Sequence, residues 1–239
     1  MIDRPAYLEK LKPYIGKPLI KIITGIRRSG KSTVLKLLEK ELLRSGVSNE
    51  QIIFINLESF SYSHLLNAGS LYEHIKNKID SAQKYYLLLD EIQEVDGWER
   101  AINSFLVDFN TDIYLTGSNS HLLSSELATY IAGRYVEIPI YTLSFKEYID
   151  FRSKYIPNDP TIDDLFTDYL RKGGFPVIHT SEYTLDSAYK IVYDIYSSVI
   201  LRDTVQRYKI RDIELLERVI KYAIDNIGNT FSGKNVADF

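Results

Sequence analysis

Short runs of aliphatic and β-branched residues alternate with stretches of helical spacing through roughly the first 140 residues. Residues 19–24, 52–55, 85–89, 113–115 and 135–140 predict strands. The first four are nearly continuous apolar runs, the pattern of strands covered on both faces. Between them, Leu35, Leu38 and Leu42 share one helical face. Trp98, Ile102 and Leu106 share another, with Asp96 placed to cap that helix. Such alternation predicts an α/β fold with a mostly parallel five-stranded sheet between helical layers.

Beyond Tyr141 the pattern changes. Residues 144–151, 162–170, 185–201 and 213–227 predict helices with no strands between them. Leu185, Tyr189, Val192, Tyr196 and Val199 form one apolar stripe. Ile213, Leu216, Ile220 and Ile227 form a second, opened by Asp212 and closed by Gly228. The expected organisation is an α/β core over 1–142 and a small helical lid over 143–228, followed by residues 229–239.

Composition removes several classes of function. Without cysteine there are no disulfides or thiolate zinc sites, which suits a reducing cytoplasm. His64, His74, His121 and His179 lie too far apart for ligand-like spacing. The opening MIDRPAYLEK carries charges where a signal peptide needs an apolar run, and no stretch reaches the roughly 18 apolar residues of a membrane span. A net charge of −3 gives no global basic field for nucleic acid. The 19 tyrosines show no regular spacing and suit packing at core edges.

The strongest chemical signal is Gly25-Ile26-Arg27-Arg28-Ser29-Gly30-Lys31-Ser32, followed by Thr33, which matches G-x-x-x-x-G-K-[ST] (Walker A). A strand precedes it and a helix follows. Gly25 and Gly30 permit positive φ and close approach of backbone to phosphate. The N–H groups of the loop and helix start form an anion cradle. Lys31 is expected to pair with the β- and γ-phosphates, and the Ser32 hydroxyl to ligate Mg²⁺. Arg27 and Arg28 suit a phosphate, a neighbouring domain or plain solvent. Tyr85-Tyr86-Leu87-Leu88-Leu89-Asp90-Glu91 is an apolar strand ending in two carboxylates, the Walker B pattern. Asp90 is expected to hold Mg²⁺, and Glu91 to orient or deprotonate an attacking water. Alone, that run would equally suit a strand meeting solvent. With the phosphate loop it predicts one crevice at the strands' carboxyl ends. After the strand at 113–115, Ser118 and Asn119 are candidates to contact the γ-phosphate or the lytic water, although an ordinary Gly-Ser-Asn turn has the same composition.

Taken in order, GIRRSGKST, LLLDEIQ followed by GW, YLTGSNS, AGRY, LSFKEY and LRKGGFP resemble the AAA+-related bacterial and archaeal ATPases of the AAA_14/DUF4143 group, relatives of the signal-transducing STAND ATPases. The resemblance spans nearly the whole chain. It implies a strand inserted between the phosphate-loop and Asp90 strands, and ATP as the nucleotide. It implies sensor 1 at Ser118-Asn119 and an arginine finger at Arg134, acting on a neighbour or a repositioned domain. Arg134 equally suits a surface residue opening a strand. The resemblance also implies that Gly174-Phe175-Pro176 is the lid element whose proline packs on adenine. NTFSGKNVADF, with Ser232 capping a helix that holds Val236 and Phe239, resembles the opening of a winged-helix module. A region absent from this chain would follow, and only through it is DNA expected as a partner.

Asn77-Lys78-Ile79-Asp80 matches the guanine-reading N-K-x-D of GTPases, but it precedes the Asp90 strand and reads as a solvated helix end. A P-loop kinase needs an acceptor site, and Glu91 favours water in that role. Two readings remain. One is a Mg²⁺-dependent ATPase whose cycle moves the lid or a partner, with a homo-oligomer or protein partner required for an arginine acting in trans. The other is a slow-hydrolysing switch or scaffold that signals through a partner or DNA. Steady-state turnover separates them.

Overall fold

The computed structural model describes residues 4–80, 83–117, 131, 133–155, 160–199, 204–205, 208–230 and 232–237. Strands β1 (Ile20–Thr24), β2 (Ile52–Asn56), β3 (Tyr85–Asp90), β4 (Thr111–Thr116) and β5 (Tyr135–Pro139) form one sheet. Its order is β2-β3-β4-β1-β5, and each neighbouring pair is parallel. β4 is the strand inserted between β1 and β3, as the resemblance implied.

The apolar runs bury both faces because successive side chains alternate across a strand. Ile20, Ile22, Leu87, Leu89, Ile113 and Leu115 point to one side. There they pack on α3 (Ala68–Lys76) and α4 (Trp98–Asp108) through Leu71, Ile75, Trp98, Ile102 and Phe105. Ile23, Leu88 and Tyr114 point to the other. They meet Val34, Leu35, Leu38 and Leu42 of α2 (Lys31–Arg44), and Tyr7 and Leu11 of α1 (Pro5–Leu11). The result is a three-layer α/β sandwich.

One local expectation needs correction. Asp96 does not cap α4: the N-cap is Gly97, in the left-handed region at φ 68°. Asp96 instead joins the loop before α3, accepting from the Ala68 N–H and donating to the Leu66 carbonyl. The nearly continuous apolar run at 19–24 is buried along the whole of β1 and includes one charged residue. Lys21 is fully buried and paired with Asp112 on β4, itself 1% exposed. Lys21 Nζ also donates to the Lys17 carbonyl at 3.0 Å. Asp112 Oδ2 accepts from the Gly16 N–H at 2.6 Å and the Tyr114 hydroxyl at 3.0 Å. Burial pushes the Lys21 pKa down, and the Asp112 carboxylate opposes that shift. This network sits where β1 and β4 begin, at the end of the sheet away from the phosphate loop.

Helices α5 (Phe145–Tyr155), α6 (Ile162–Lys172) and α7 (Leu185–Val199) follow. Leu143, Tyr148 and Phe151 form a separate small core with Phe145, Ile149, Leu165 and Tyr169. The chain divides into two compact units, residues 1–195 and 196–239. The second holds α8 (Ile213–Asp225) and α9 (Gly233–Ala237). Asp212 caps α8 by accepting from the Leu215 N–H at 2.9 Å, and Ser232 Oγ accepts from the Asn235 N–H. Among the described residues no helix is long and apolar enough to cross a membrane.

Candidate functional site: a phosphate loop facing an acidic strand end

β1 delivers the chain into the loop at Gly25, which has φ 150°. A Cβ there would lie 2.3 Å from the Ile140 carbonyl oxygen, because Ile140 extends the β5 pairing by donating to Thr24 at 2.7 Å. Only glycine fits against that backbone. Gly25→Ala is expected to cost about 1–3 kcal/mol through this overpacking, read as a fall in melting temperature of roughly 2–12 °C for a chain of this length. Arg28 at φ 64° and Gly30 at φ 103° complete the turn. Gly30 is the N-cap of α2, so the first amides of that helix have no partners four residues back.

Lys31 is 4% exposed. Its Nζ donates to the carbonyls of Gly25 (3.1 Å) and Ile26 (3.4 Å) and lies 3.6 Å from Glu91 Oε1. Lys31, Asp90 and Glu91 therefore meet, as the sequence predicted. Ser32 lies beside Asp90, and its hydroxyl is one of the groups favouring the ionised carboxylate. Arg27 turns outward to Glu58, 2.8 Å away, and Arg28 is exposed.

Asp90 is fully buried. Thr116 donates from Oγ1 to Asp90 Oδ1 at 2.5 Å and accepts the Glu91 N–H at 2.9 Å. Among the described residues no group makes a hydrogen bond of ordinary geometry to Asp90 Oδ2. Burial pushes the Asp90 pKa up, against the pull of the Thr116 and Ser32 hydroxyls. A buried carboxylate with one oxygen uncommitted, beside a hydroxyl, is a hard-oxygen donor set that fits Mg²⁺. Glu91 occupies the left-handed region at φ 56°, which costs a non-glycine residue on the order of 1–2 kcal/mol and aims its side chain. Gln93 Nε2 donates to Glu91 Oε2 at 2.6 Å.

The remaining candidates lie elsewhere. Ser118 and Asn119 are outside the described residues. Arg134 precedes β5, and its carbonyl accepts from Ile20 at the start of β1. The phosphate loop follows the far end of β1, so about 16 Å of strand separates the two along the sheet. Arg134 Nη1 donates to Asn103 Oδ1 of α4 at 3.2 Å. The structure does not bring it to the loop of its own chain. Pro176 opens a 3-10 turn, Pro176–His179. The Leu143 N–H donates to the Gly174 carbonyl at 2.7 Å. His179, fully buried, bonds the Gly173 carbonyl and sits edge-on to Tyr148. Asn77 is the C-cap of α3, consistent with a helix end rather than a base-reading site.

Sequence reasoning did not foresee Thr116 as the partner of Asp90, and gave no role to Gln93 or Arg4. A threonine ending a buried strand next to the Asp90 strand was the available signal for the first. Gln93 stood inside LLLDEIQ. Arg4 gave no signal beyond its charge.

The family model described as an AAA domain matches residues 17–149, and a domain of unknown function, DUF8612, matches residues 163–239. An uncharacterized protein of Haemophilus influenzae is 39% identical over 240 residues, covering 100% of this chain and 59% of that protein. The uncharacterized protein MJ1544 of Methanocaldococcus jannaschii is 30% identical over 230 residues, covering 92% and 49%. The chain thus spans roughly half the length of these relatives. Two mutant forms of RuvB from Thermotoga maritima share the fold. One superposes with a TM-score of 0.51 at 14% identity, covering 100% of this chain and 82% of RuvB. The other gives 0.50 at 17%, covering 99% and 81%. With the AAA model matching more than half of the chain, on a sheet of that topology, the protein belongs to the AAA domain family, among the AAA+-related P-loop ATPases.

Proposed function

We propose that the chain binds ATP with Mg²⁺ and hydrolyses it to ADP and phosphate, and that turnover moves the helical region beyond residue 142 or a partner. The observation that carries this reading is Asp90 Oδ2, buried, without a hydrogen bond of ordinary geometry among the described residues, on a carboxylate that the Ser32 hydroxyl of the phosphate loop faces. In this reading Gly25 to Thr33 cradle the phosphates through backbone N–H groups. Lys31 leaves the Gly25 and Ile26 carbonyls for the β- and γ-phosphates. Ser32 and Asp90 hold Mg²⁺, which when bound neutralises charge on the phosphate oxygens. Glu91 accepts the proton of the attacking water, aimed by Gln93 and the Thr116 hydroxyl. Ser118 and Asn119 would contact the γ-phosphate or that water, and Pro176 would pack on adenine. Arg134 would act on the nucleotide of a second copy, where it could stabilise transition-state charge. Steady-state phosphate release by the isolated chain tests the hydrolase, and release that depends on Mg²⁺ supports it.

One observation favours the slow switch instead. Both Glu91 oxygens are engaged, by Lys31 and by Gln93. Binding of MgATP without sustained phosphate release would support that reading.

Asp90 also predicts a pH dependence. Its folded-state pKa is raised above 3.8 by burial, so the folded chain holds this proton to higher pH than the unfolded chain does. That contribution to stability is present at low pH and is lost as pH rises through the raised value. Two results follow. Asp90→Asn should melt at a higher temperature than wild type at pH 7 without Mg²⁺. The melting shift that Mg²⁺ adds to ADP should fade, on acidification, at a pH above the usual carboxylate range near 4. Thermal melts across a pH series check both.

A further inference from the structure

Arg4 is 2% exposed, an unusual place for an arginine, and every arm of its guanidinium is engaged. Nε donates to Glu147 Oε1 at 2.8 Å. One terminal nitrogen donates to the Ser29 carbonyl, inside the phosphate loop, at 2.9 Å. The other reaches the Tyr141 carbonyl at 3.0 Å, the Thr142 carbonyl at 3.4 Å and Glu147 Oε2 at 3.2 Å. The guanidinium also lies over the Tyr7 ring, 4.4 Å from its centroid. One side chain therefore fastens the loop to the segment that leaves the sheet after β5.

We propose that Arg4 is a positioning residue for the phosphate cradle, and the tie through which a filled cradle is felt at residues 141–147 and 173–179. The proposal rests on the nucleotide reading above.

The first half follows from peptide geometry. The Ser29 carbonyl and the Gly30 N–H belong to one planar trans unit and point in opposite directions. Arg4 holds the carbonyl, so the Gly30 amide hydrogen faces away from Arg4, at the N-terminus of α2. A phosphate drawn to those amides therefore pulls on a peptide that Arg4 already grips. The second half follows from connectivity. Thr142 leads to Leu143, whose N–H donates to the Gly174 carbonyl at 2.7 Å and whose carbonyl accepts from the Tyr169 hydroxyl at 2.8 Å. A Cβ on Gly174 would stand 2.4 Å from the Leu143 carbonyl oxygen, so the two strands of backbone are in contact. The path Ser29, Arg4, Thr142, Leu143, Gly174 is continuous and ends two residues before Pro176. A lysine offers one point charge and cannot hold both ends of that path, whereas a guanidinium fork can.

The test uses calorimetry with MgADP and amide hydrogen exchange with and without MgADP, on wild type, Arg4→Met, Arg4→Lys and Glu147→Gln. In wild type, MgADP should slow exchange at 141–147 and 173–179 as well as in the loop. Arg4→Met should bind MgADP about ten-fold more weakly, the loss of one charge-assisted hydrogen bond, and lose the remote slowing. Arg4→Lys should recover affinity more than it recovers the remote slowing. Glu147→Gln keeps the grip on Ser29 and the cap to Ser144, and loosens only the far end. It should bind MgADP as wild type does and still lose part of the slowing at 141–147. A merely structural Arg4 would lower the melting temperature and leave the remote response of the remaining folded protein intact. Should Arg4→Met fail to fold, Glu147→Gln decides, and a wild-type exchange response there overturns the proposal. Wild type that binds MgADP without any change at 141–147 also overturns it. No binding by wild type would instead sink the nucleotide reading itself.

Discussion

Glu91→Gln should lower steady-state phosphate release by about 10²–10⁴-fold while MgADP affinity stays near wild type. The substitution keeps the shape of the side chain and removes its charge and its capacity to take a proton. The surrounding geometry is that of a group held for a task. Glu91 sits in a strained left-handed conformation, its N–H on Thr116 and its carboxylate between Gln93 and Lys31. A glutamine retains an acceptor for Gln93 and loses the charge that faces Lys31. Binding by the loop should stay near wild type, because the backbone cradle and the Lys31 ammonium are both retained. Turnover equal to wild type would show that another group, or none, acts as the base.

The second large effect concerns stability and lies at the opposite end of the sheet. Lys21→Met strips the countercharge from Asp112 and leaves a carboxylate among buried side chains. Removing one partner of such a pair costs about 3–5 kcal/mol, a fall of roughly 6–20 °C in melting temperature for a chain of this size. The Gly16 N–H and Tyr114 hydroxyl still reach Asp112 and soften the loss. The double variant Lys21→Met, Asp112→Leu should recover part of it but not all. It removes the stranded charge and at the same time leaves the Gly16 N–H and the Tyr114 hydroxyl without their acceptor. A single variant that melts within a degree of wild type would contradict this account.

Most of the architecture was legible because the strands are short, apolar and separated by strong helical periods. The five strand assignments and the helices from α5 to α8 lie within a few residues of the structure. What was not legible depended on partners distant in sequence. Lys21 lies inside a nearly continuous apolar run and carried no visible role there, since its partner Asp112 stands 91 residues away. Arg4 gains its meaning from Ser29, Tyr141 and Glu147, which no local pattern connects to it. Asp96 had the composition of a cap, but the left-handed turn at Gly97 took that position. At the site, Gly25 to Ser32, Asp90 and Glu91 were readable because they match motifs of set residue type and fixed spacing. Thr116 and Gln93 act by orienting those groups, and orientation leaves a weaker mark on composition.

Calorimetric titration of MgADP into wild type and Lys31→Ala tests the central claim most directly. The account predicts a saturable heat for wild type and none for Lys31→Ala, with both proteins melting cooperatively. No heat from folded wild type, or equal affinity in the two proteins, would contradict it.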